Sequence, residues 1–459
     1  MTDARSVVLP IFSPISNRDQ SILKDSRLYN GFAEKGQGES KEEVWVYKRP
    51  GLKYSSTVAA GTGLGVFNWK GDIYSVFNGH LYKNGVDKGA VDTTSSYTFT
   101  SCLGATPKLF LKNKAKAYNY DDGAGLVQVT DVNYPATTVR GCAYLDGTTY
   151  IFTPTSSING DDFNDPTTWD PLNTLLVQIE PDAPQCLAKQ LVYIIAIKST
   201  ETEVFYDAGN GTGSPLGAVQ GSKLGVGARS AESVVRCGDD LAWVGTTTEG
   251  DIQVMFMSKV HGESISTPPV ERLLAPLDFS VVYAWSAKVA GHRYYVVTIK
   301  NSNLTLAFDL TSGLWYIWTD PNGNYIPIVS ATYNSSAQPV LQHESNGKLY
   351  TLDAQTFQDD GVNFTFSLFT PNFDGGMRTT KTTGTVDVVA DEINTNINIS
   401  WSDDDYQTFT TPQTVNLNQG RVTIQDGSSY RKRAYNITNT DNTFLRVKAL
   451  QPMTAASNH

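Results

Sequence analysis

The residues able to do chemistry are scattered along the chain. His80, His261, His292 and His343 lie far apart and follow no His-x-x-x-His spacing, so each reads as a strand or turn residue and not as a metal ligand. Cys102, Cys142, Cys186 and Cys237 are separated by 40, 44 and 51 residues, which fits no zinc or redox motif. They read as buried free thiols. No Gly-x-Ser-x-Gly nucleophile elbow occurs, and the carboxylates are too many and too dispersed to single out a general acid/base pair. Gly61-Thr62-Gly63-Leu64-Gly65 lacks the lysine of a phosphate loop and runs into a strand, so it reads as a loop before the first repeat. The oxygen-rich run Asn159-Gly160-Asp161-Asp162-Phe163-Asn164-Asp165 lacks the ligand order of an EF-hand and reads as an Asx-rich turn.

Three further clusters have structural readings. Ser402-Asp403-Asp404-Asp405-Tyr406-Gln407-Thr408-Phe409 resembles the Asp box of sialidases, Ser-x-Asp-x-Gly-x-x-Trp, with Tyr406 for the glycine and Phe409 for the tryptophan. In such turns the aspartate holds a hairpin and is not catalytic. Lys108, Lys112, Lys114 and Lys116 alternate with apolar residues and read as one charged strand face, one that could touch phosphates or equally guard a sheet edge. Arg431-Lys432-Arg433 reads as a solvated or interface patch. No residue is named as catalytic, cofactor-binding or metal-binding, and no cofactor is expected.

Composition narrows the class. The 459 residues exceed one ordinary core, and 40% are hydrophobic while only 18% are charged. Tyrosine, phenylalanine and glycine are plentiful, with 23, 19 and 38 copies, and long Ala/Leu/Glu/Lys stretches at helical spacing are missing. Such a chain suits pleated surfaces and turns, hence an all-β fold. The formal net charge of -10 disfavours tight phosphate binding, which needs clustered lysine and arginine. No run approaches the roughly 18 apolar residues of a membrane helix, and Val7–Phe12, broken by Pro10, does not read as a signal peptide. Membrane insertion is not expected, and Asn-x-Ser/Thr sequences such as Asn303-Leu304-Thr305 read as chance.

The elements recur. Gly65–Trp69, Asp72–Phe77 and His80–Lys83 are apolar-alternating runs joined by Lys70-Gly71 and Asn78-Gly79, the pattern of a three-stranded meander. Related hairpins follow near 109–120, 142–152, 191–206, 241–256, 294–308 and 340–352. Aligning the 241 and 294 copies by their glycines matches Cys237 with Ala290, a small apolar slot. Starts spaced by about 35–50 residues, with several strands per copy, are the signature of a β-propeller. Six or seven blades are expected over residues 60–355, the second and third being the faintest. Residues 1–59 read as an arm ending in strand Val44–Tyr47. Residues 356–459 lose the spacing and read as a small β-sandwich-like domain with a disordered end from Thr454.

Some segments are similar to a known family. Arg27-Leu28-Tyr29-Asn30-Gly31-Phe32-Ala33-Glu34, followed by Lys48-Arg49-Pro50-Gly51-Leu52, resembles the opening of tail hub proteins of short-tailed bacteriophages, the packaged-DNA stabilisation proteins or tail nozzles. Gly79–Gly85, Ser199–Tyr206, Gly313-Leu314-Trp315 and Leu368–Phe373 continue the likeness, while 155–185 has no counterpart. The resemblance implies a non-enzymatic propeller protein forming a homo-oligomeric ring, a hexamer, in the virion tail, assembled in the host cytoplasm. It would sit below the portal and adaptor, close the packaged head with a needle or plug protein, and carry tailspikes or fibres. Genome DNA would pass through without sequence-specific binding. An acidic or mixed lumen, with the Lys108–Lys116 face turned away, would let it slide. The rival reading is a receptor- or carbohydrate-binding, glycosidase-like propeller, which would need a carboxylate pair at a defined separation.

Overall fold

The computed structural model describes residues 5–6, 8–16, 25–35, 44–374, 379–419 and 421–456. The loops expected at 17–20 and 36–39 lie outside the described residues. One α-helix, Pro268–Leu274, and the short 3₁₀ turns Ala231–Ser233 and Lys300–Ser302 stand among the described residues, and the rest of the regular structure there is strand.

Seven sheets follow one another in chain order. Blade one is Gly63–Trp69, Asp72–Phe77, His80–Lys83 and Val86–Ala90, and blade two begins at Thr98–Cys102. Blades three and four begin at Cys142–Leu145 and Pro184–Gln190, and five opens with two short strands, Val226–Ala228 and Val235–Cys237. Blades six and seven begin at Val282–Val289 and Ile328–Tyr333. The strands alternate in direction, and residues such as Asn78, Asn84 and Asp146 take φ of 48°, 48° and 45° at the tight turns before a glycine. That is the two-residue hairpin chemistry expected from the sequence. Blades two and three are complete four-stranded sheets. Their faintness has physical causes: Thr98–Cys102 is mostly polar, and blade three's outer strand, Asp165–Leu176, carries Pro166, Pro171 and two register shifts against its neighbour.

Each blade buries both faces against its neighbours. In blade five Leu241 and Trp243 pack toward blade four, while Ala242 and Val244 pack toward blade six. This explains why blade centres read as continuous apolar runs and not as polar–apolar alternation. The register of blades five and six differs by one residue from the glycine alignment. Cys237 pairs with Asp240 across one turn, as Val289 pairs with His292 across the other, so Val289 and not Ala290 is the counterpart of Cys237. A slip of one residue moves every side chain to the other face, so the turn pairs are the safer guide. Leu191 and Val192, which read as the start of a strand, form a turn instead; the strand begins at Tyr193.

The N-terminal segment is shared between the propeller and the second domain. Label its strands β1 (Arg5–Ser6), β2 (Leu9–Pro10), β3 (Arg27–Tyr29), β4 (Gly31–Lys35), β5 (Val44–Lys48) and β6 (Gly51–Thr57). β6 pairs with Lys348–Asp353 as the outer strand of blade seven, so the two ends of the repeat array close on each other. β3 lies between Leu314–Ile317, the outer strand of blade six, and Phe366–Phe369 of the second domain. Blade six therefore runs on into a nine-stranded sheet that ends in the sandwich. The opposing sheet takes β4, β5, Arg446–Ala456, Lys381–Ala390 and Val422–Gln425, with β1 and β2 paired to Arg446–Ala456. Thr454–Ala456, expected to be disordered, belong to this last strand; residues 457–459 lie outside the described residues. One core cluster runs without a break from Trp285, Tyr294 and Leu341 of the last blades, through Leu28, Phe32 and Val46 of the arm, to Val386 and Ile437 of the sandwich.

Arg49 sits at this junction with 1% of its side chain exposed. It donates to both Asp359 oxygens at 3.1 and 2.6 Å, to Asn30 Oδ1 at 2.9 Å and to the Thr319 carbonyl at 3.0 Å, and it lies 3.8 Å over the Phe364 ring. Gly51 is required beside it, because a β-carbon there would stand 2.2 Å from the Gln358 carbonyl oxygen. Removing one partner of a buried ion pair strands the other charge, so Asp359→Ala should lower unfolding free energy by about 3–5 kcal/mol. Denaturant titration measures it, and a loss below about 1 kcal/mol would mean the pair is not load-sharing.

Candidate functional site

The four histidines among the described residues stay apart. His80 contacts Asp87 at 2.9 Å on the blade-one hairpin, His261 is exposed, and His343 accepts the Ser345 and Asn346 amides. His292 is the buried one. Its Nδ1 lies 2.6 Å from Asp309 Oδ2 and its Nε2 2.8 Å from Glu34 Oε1, with Phe32 packed on the ring. It joins β4 of the arm to blade six. No group of three or more metal-ligating residues is found among the described residues.

The cysteines are free. Cys102, Cys186 and Cys237 are buried and Cys142 is half-buried. Burial pushes the thiols of Cys186 and Cys237 up to about 12 and that of Cys142 up to about 11. Their environment disfavours the thiolate that redox chemistry requires.

The first acidic run is only partly a turn: Asn159–Asp162 belong to the strand Ser157–Asp162 and only Phe163-Asn164 turn, whereas the second cluster holds its turn. Asp161 is buried and accepts the Thr149 amide at 2.5 Å; burial pushes its carboxyl up to about 7. Asp165 accepts from the Thr167 amide and hydroxyl at 3.2 and 2.5 Å, an Asx-turn arrangement. In the Asp-box-like segment Asp404 accepts from the Thr408 hydroxyl, the Thr408 and Gln407 amides and the Ser402 hydroxyl. Those bonds, the Thr408 hydroxyl foremost, hold its carboxyl at about 2. Ser402 Oγ in turn accepts the Tyr406 amide at 2.9 Å.

Three readings need correction. The lysines of 108–116 do not form one face: Lys108–Lys112 is an inner strand of blade two, and Lys114 and Lys116 lie in the following turn. Lys112 is buried and donates to the Val139 and Gly141 carbonyls at 2.6 and 3.3 Å, tying blade two to the start of blade three. Arg433 is not solvated. Its side chain has no exposure, ion-pairs with Asp426 and Asp403, and lies 3.8 Å over Tyr430. Lastly, the glycine run belongs partly to blade one, whose first strand starts at Gly63. A β-carbon on Gly63 would stand 2.3 Å from the His343 carbonyl oxygen, so this residue serves the closure of blade seven on blade one.

Sequence reasoning missed the residues that link blades not adjacent in the ring. Arg140, just before blade three, donates to Ser96 Oγ at 2.7 Å and ion-pairs with Glu232, whose carboxylate also accepts from Ser96 at 2.8 Å. Ser96 precedes blade two, and Glu232 sits on the short turn Ala231–Ser233 between the two opening strands of blade five. These contacts join residues next to blades two, three and five and skip blade four. Nothing in local spacing marks these partners, since Arg140 and Glu232 are 92 positions apart.

A closed ring of radial sheets whose charged residues fasten strands and turns defines a structural β-propeller protein. The chain belongs to the phage stabilisation family described as Bacteriophage P22 Gp10, beta-propeller, whose model matches residues 9–356, from β2 through blade seven. It is a bacteriophage structural tail protein of the class that stabilises packaged DNA. No curated protein matches the chain. Among solved structures it is similar to BBS1N in complex with ARL6DN, at 10% identity, covering 67% of this chain and 98% of that one, with a TM-score of 0.43. YCF48 bound to D1 peptide aligns at 13% identity, 66% and 99% coverage and a TM-score of 0.40. The computationally designed Ika8 protein aligns at 11% identity, 66% and 99% coverage and a TM-score of 0.37.

The His292 contact carries a pH dependence. Burial alone would lower its pKa, but the bonds to Asp309 and Glu34 outweigh it and leave the pKa above the ordinary 6.5. A group raised on folding contributes fully below its unfolded value and loses that contribution as pH rises through the folded one. Asp309, held below its ordinary range, keeps its own contribution until the pH becomes strongly acidic. His292→Gln should therefore cost about 1–2 kcal/mol near pH 5.5 and progressively less above pH 7. Denaturation of both proteins across that range tests it; a gap that widens with pH would reverse the assignment.

Proposed function

We propose that copies of this chain form a ring, a hexamer, in the tail of a short-tailed bacteriophage, below the portal and adaptor. The ring retains the packaged genome and conducts it at ejection. The observation that carries this reading is family membership across the arm and all seven blades. The head-to-tail adaptor, a needle or plug protein, and tailspikes or fibres are its partners, and it assembles in the host cytoplasm. It acts without catalysis.

One physical feature supports a conduit that does not hold the duplex. The chain carries 46 acidic residues against 36 lysines and arginines, and several basic ones are taken up internally, Lys112, Arg49 and Arg433 among them. A wall of acidic or mixed charge repels phosphates and keeps the duplex mobile, whereas clustered cations would bind it in a salt-dependent way.

Imaging of assembled tails should count six copies around the axis; one or three copies would end the ring reading. In gel shifts at moderate salt, duplex DNA of any sequence should stay unbound at micromolar protein, which excludes only binding at or below the tight end, about 10⁻⁶ M, of the typical non-specific range. Tight, salt-sensitive binding would mean a clamp in place of a conduit.

A further inference from the structure

The second domain presents one sheet face without ionic groups. Its strands Phe366–Phe369, Asn396–Ser402, Gln413–Asn416 and Ala434–Asn439 contain no Asp, Glu, Lys or Arg. The opposing sheet carries Lys381, Asp387, Arg446 and Lys448 on its strands. Leu368, Ile397, Ile399 and Ile437 turn into the core. Side chains alternate along a strand, so Ser367, Asn396, Asn398, Asn436 and Thr438 turn outward, and none of these five is buried.

The register sets these residues in rows. Ser367, Thr438, Asn398 and Thr414 stand opposite one another across four strands. Ser367 Oγ donates to Asn436 Oδ1 at 3.0 Å, and Thr414 Oγ1 donates to Asn398 Oδ1 at 2.5 Å. The Nδ2 groups of Asn398 and Asn436 and the Thr438 hydroxyl have no partner among the described residues. An amide whose oxygen is held in this way keeps two N–H donors in a fixed direction.

Aromatic rings and a cavity border the rows. Phe369 stands opposite Asn436, and its ring centre lies 5.6 Å from that of the half-buried Phe409, at 76°. Phe409 lines a cavity of about 260 Å³ with Trp401, Asp403, Asp404, Thr408 and Thr410. The two carboxylates are already engaged. Asp403 accepts from Arg433 on both oxygens, at 2.7 and 2.8 Å, and Asp404 accepts the Thr408 and Gln407 amides of its own turn. Both are therefore acceptors fixed in place at the cavity wall.

We propose that this cavity and the adjoining rows bind a neutral saccharide chain. Phe409 offers a flat apolar surface to the apolar face of a sugar ring, while the amides, hydroxyls and fixed carboxylates pair with its hydroxyl groups. Charge complementarity selects the ligand class. Rows without ionic side chains give a charged polymer no counter-charge, whereas a neutral chain rich in hydroxyls meets their donors and acceptors directly. The chain is bound and not cleaved, and the proposal stands independently of the ring reading above.

Affinity electrophoresis of the full chain tests it, with dextran, galactomannan or glycogen in the gel and polygalacturonate as the charged counterpart. At least one neutral polymer should retard the wild type equally at low and high salt, and polygalacturonate should not. Phe409→Ala should weaken the retardation about tenfold, and so should Asn398→Ala combined with Thr438→Ala. Phe409→Trp should preserve it. Melting temperatures should stay at the wild-type value; if Phe409→Ala lowers its own, the Asn398/Thr438 variant decides. Retardation by none of the three neutral polymers would overturn the site. Retardation by polygalacturonate alone, or retardation that neither variant alters, would overturn it as well. If the Ala434–Asn439 amides of a chain that no neutral polymer retards become protected from hydrogen exchange in assembled tails, the face is a protein contact and the proposal fails.

Discussion

Arg49 is a charge that the fold buries completely, and a buried charge is tolerated only where every donor finds an acceptor. Its acceptors come from three places distant in sequence: Asn30 on the arm, Thr319 after blade six and Asp359 after blade seven. Asn30 in turn donates to Thr319 Oγ1 and the Thr365 carbonyl, and Asp359 accepts the Leu52 amide. The guanidinium can be satisfied only when the arm, the last two blades and the first strand of the sandwich are all in place. Lys48 beside it repeats the device, donating to Asn439 Oδ1 and the Asp441 carbonyl, with burial lowering its pKa to about 7. These two residues fix where β5 ends and β6 begins, and β6 is the strand that closes the propeller.

Elsewhere the ring is held by a simpler rule. Every blade hides both faces, so each interface is a core, and a buried polar side chain often bridges it. Gln342 of blade seven accepts the Gly65 amide and donates to the Val76 carbonyl of blade one. Gln190 does the same between blades four and five, and Lys112 between two and three. Such groups are costly unless fully paired, which makes them selective for one stacking geometry.

Much of this was legible in the sequence, for local reasons. Asn-Gly and Asp-Gly between apolar runs declare their hairpins, because the backbone angles those turns need are intrinsic to the residues. The repeat spacing then implies the ring. What was not legible depends on distant partners. Lys112 and Arg433 look like surface cations until Val139, Asp426 and Asp403 are brought to them. The arm offers no sign that β3 will extend blade six, since three residues, Arg27–Tyr29, carry too little pattern to choose a sheet. The one-residue error at Cys237 arose because a glycine can occupy either central position of a turn, and the face parity of a strand follows the pairing and not the glycine.

The central claim is that the arm makes the propeller and the sandwich one cooperative unit. Native-state hydrogen exchange tests it most directly, because amides in one unit open with one free energy. The account predicts that β3, β6, the blade-six strand Leu304–Asp309 and the sandwich strand Ala434–Asn439 exchange through the same global opening, with equal denaturant dependence. If the sandwich instead exchanges by a separate, lower-energy opening while the blades stay protected, the two domains are independent and the arm is only a tether.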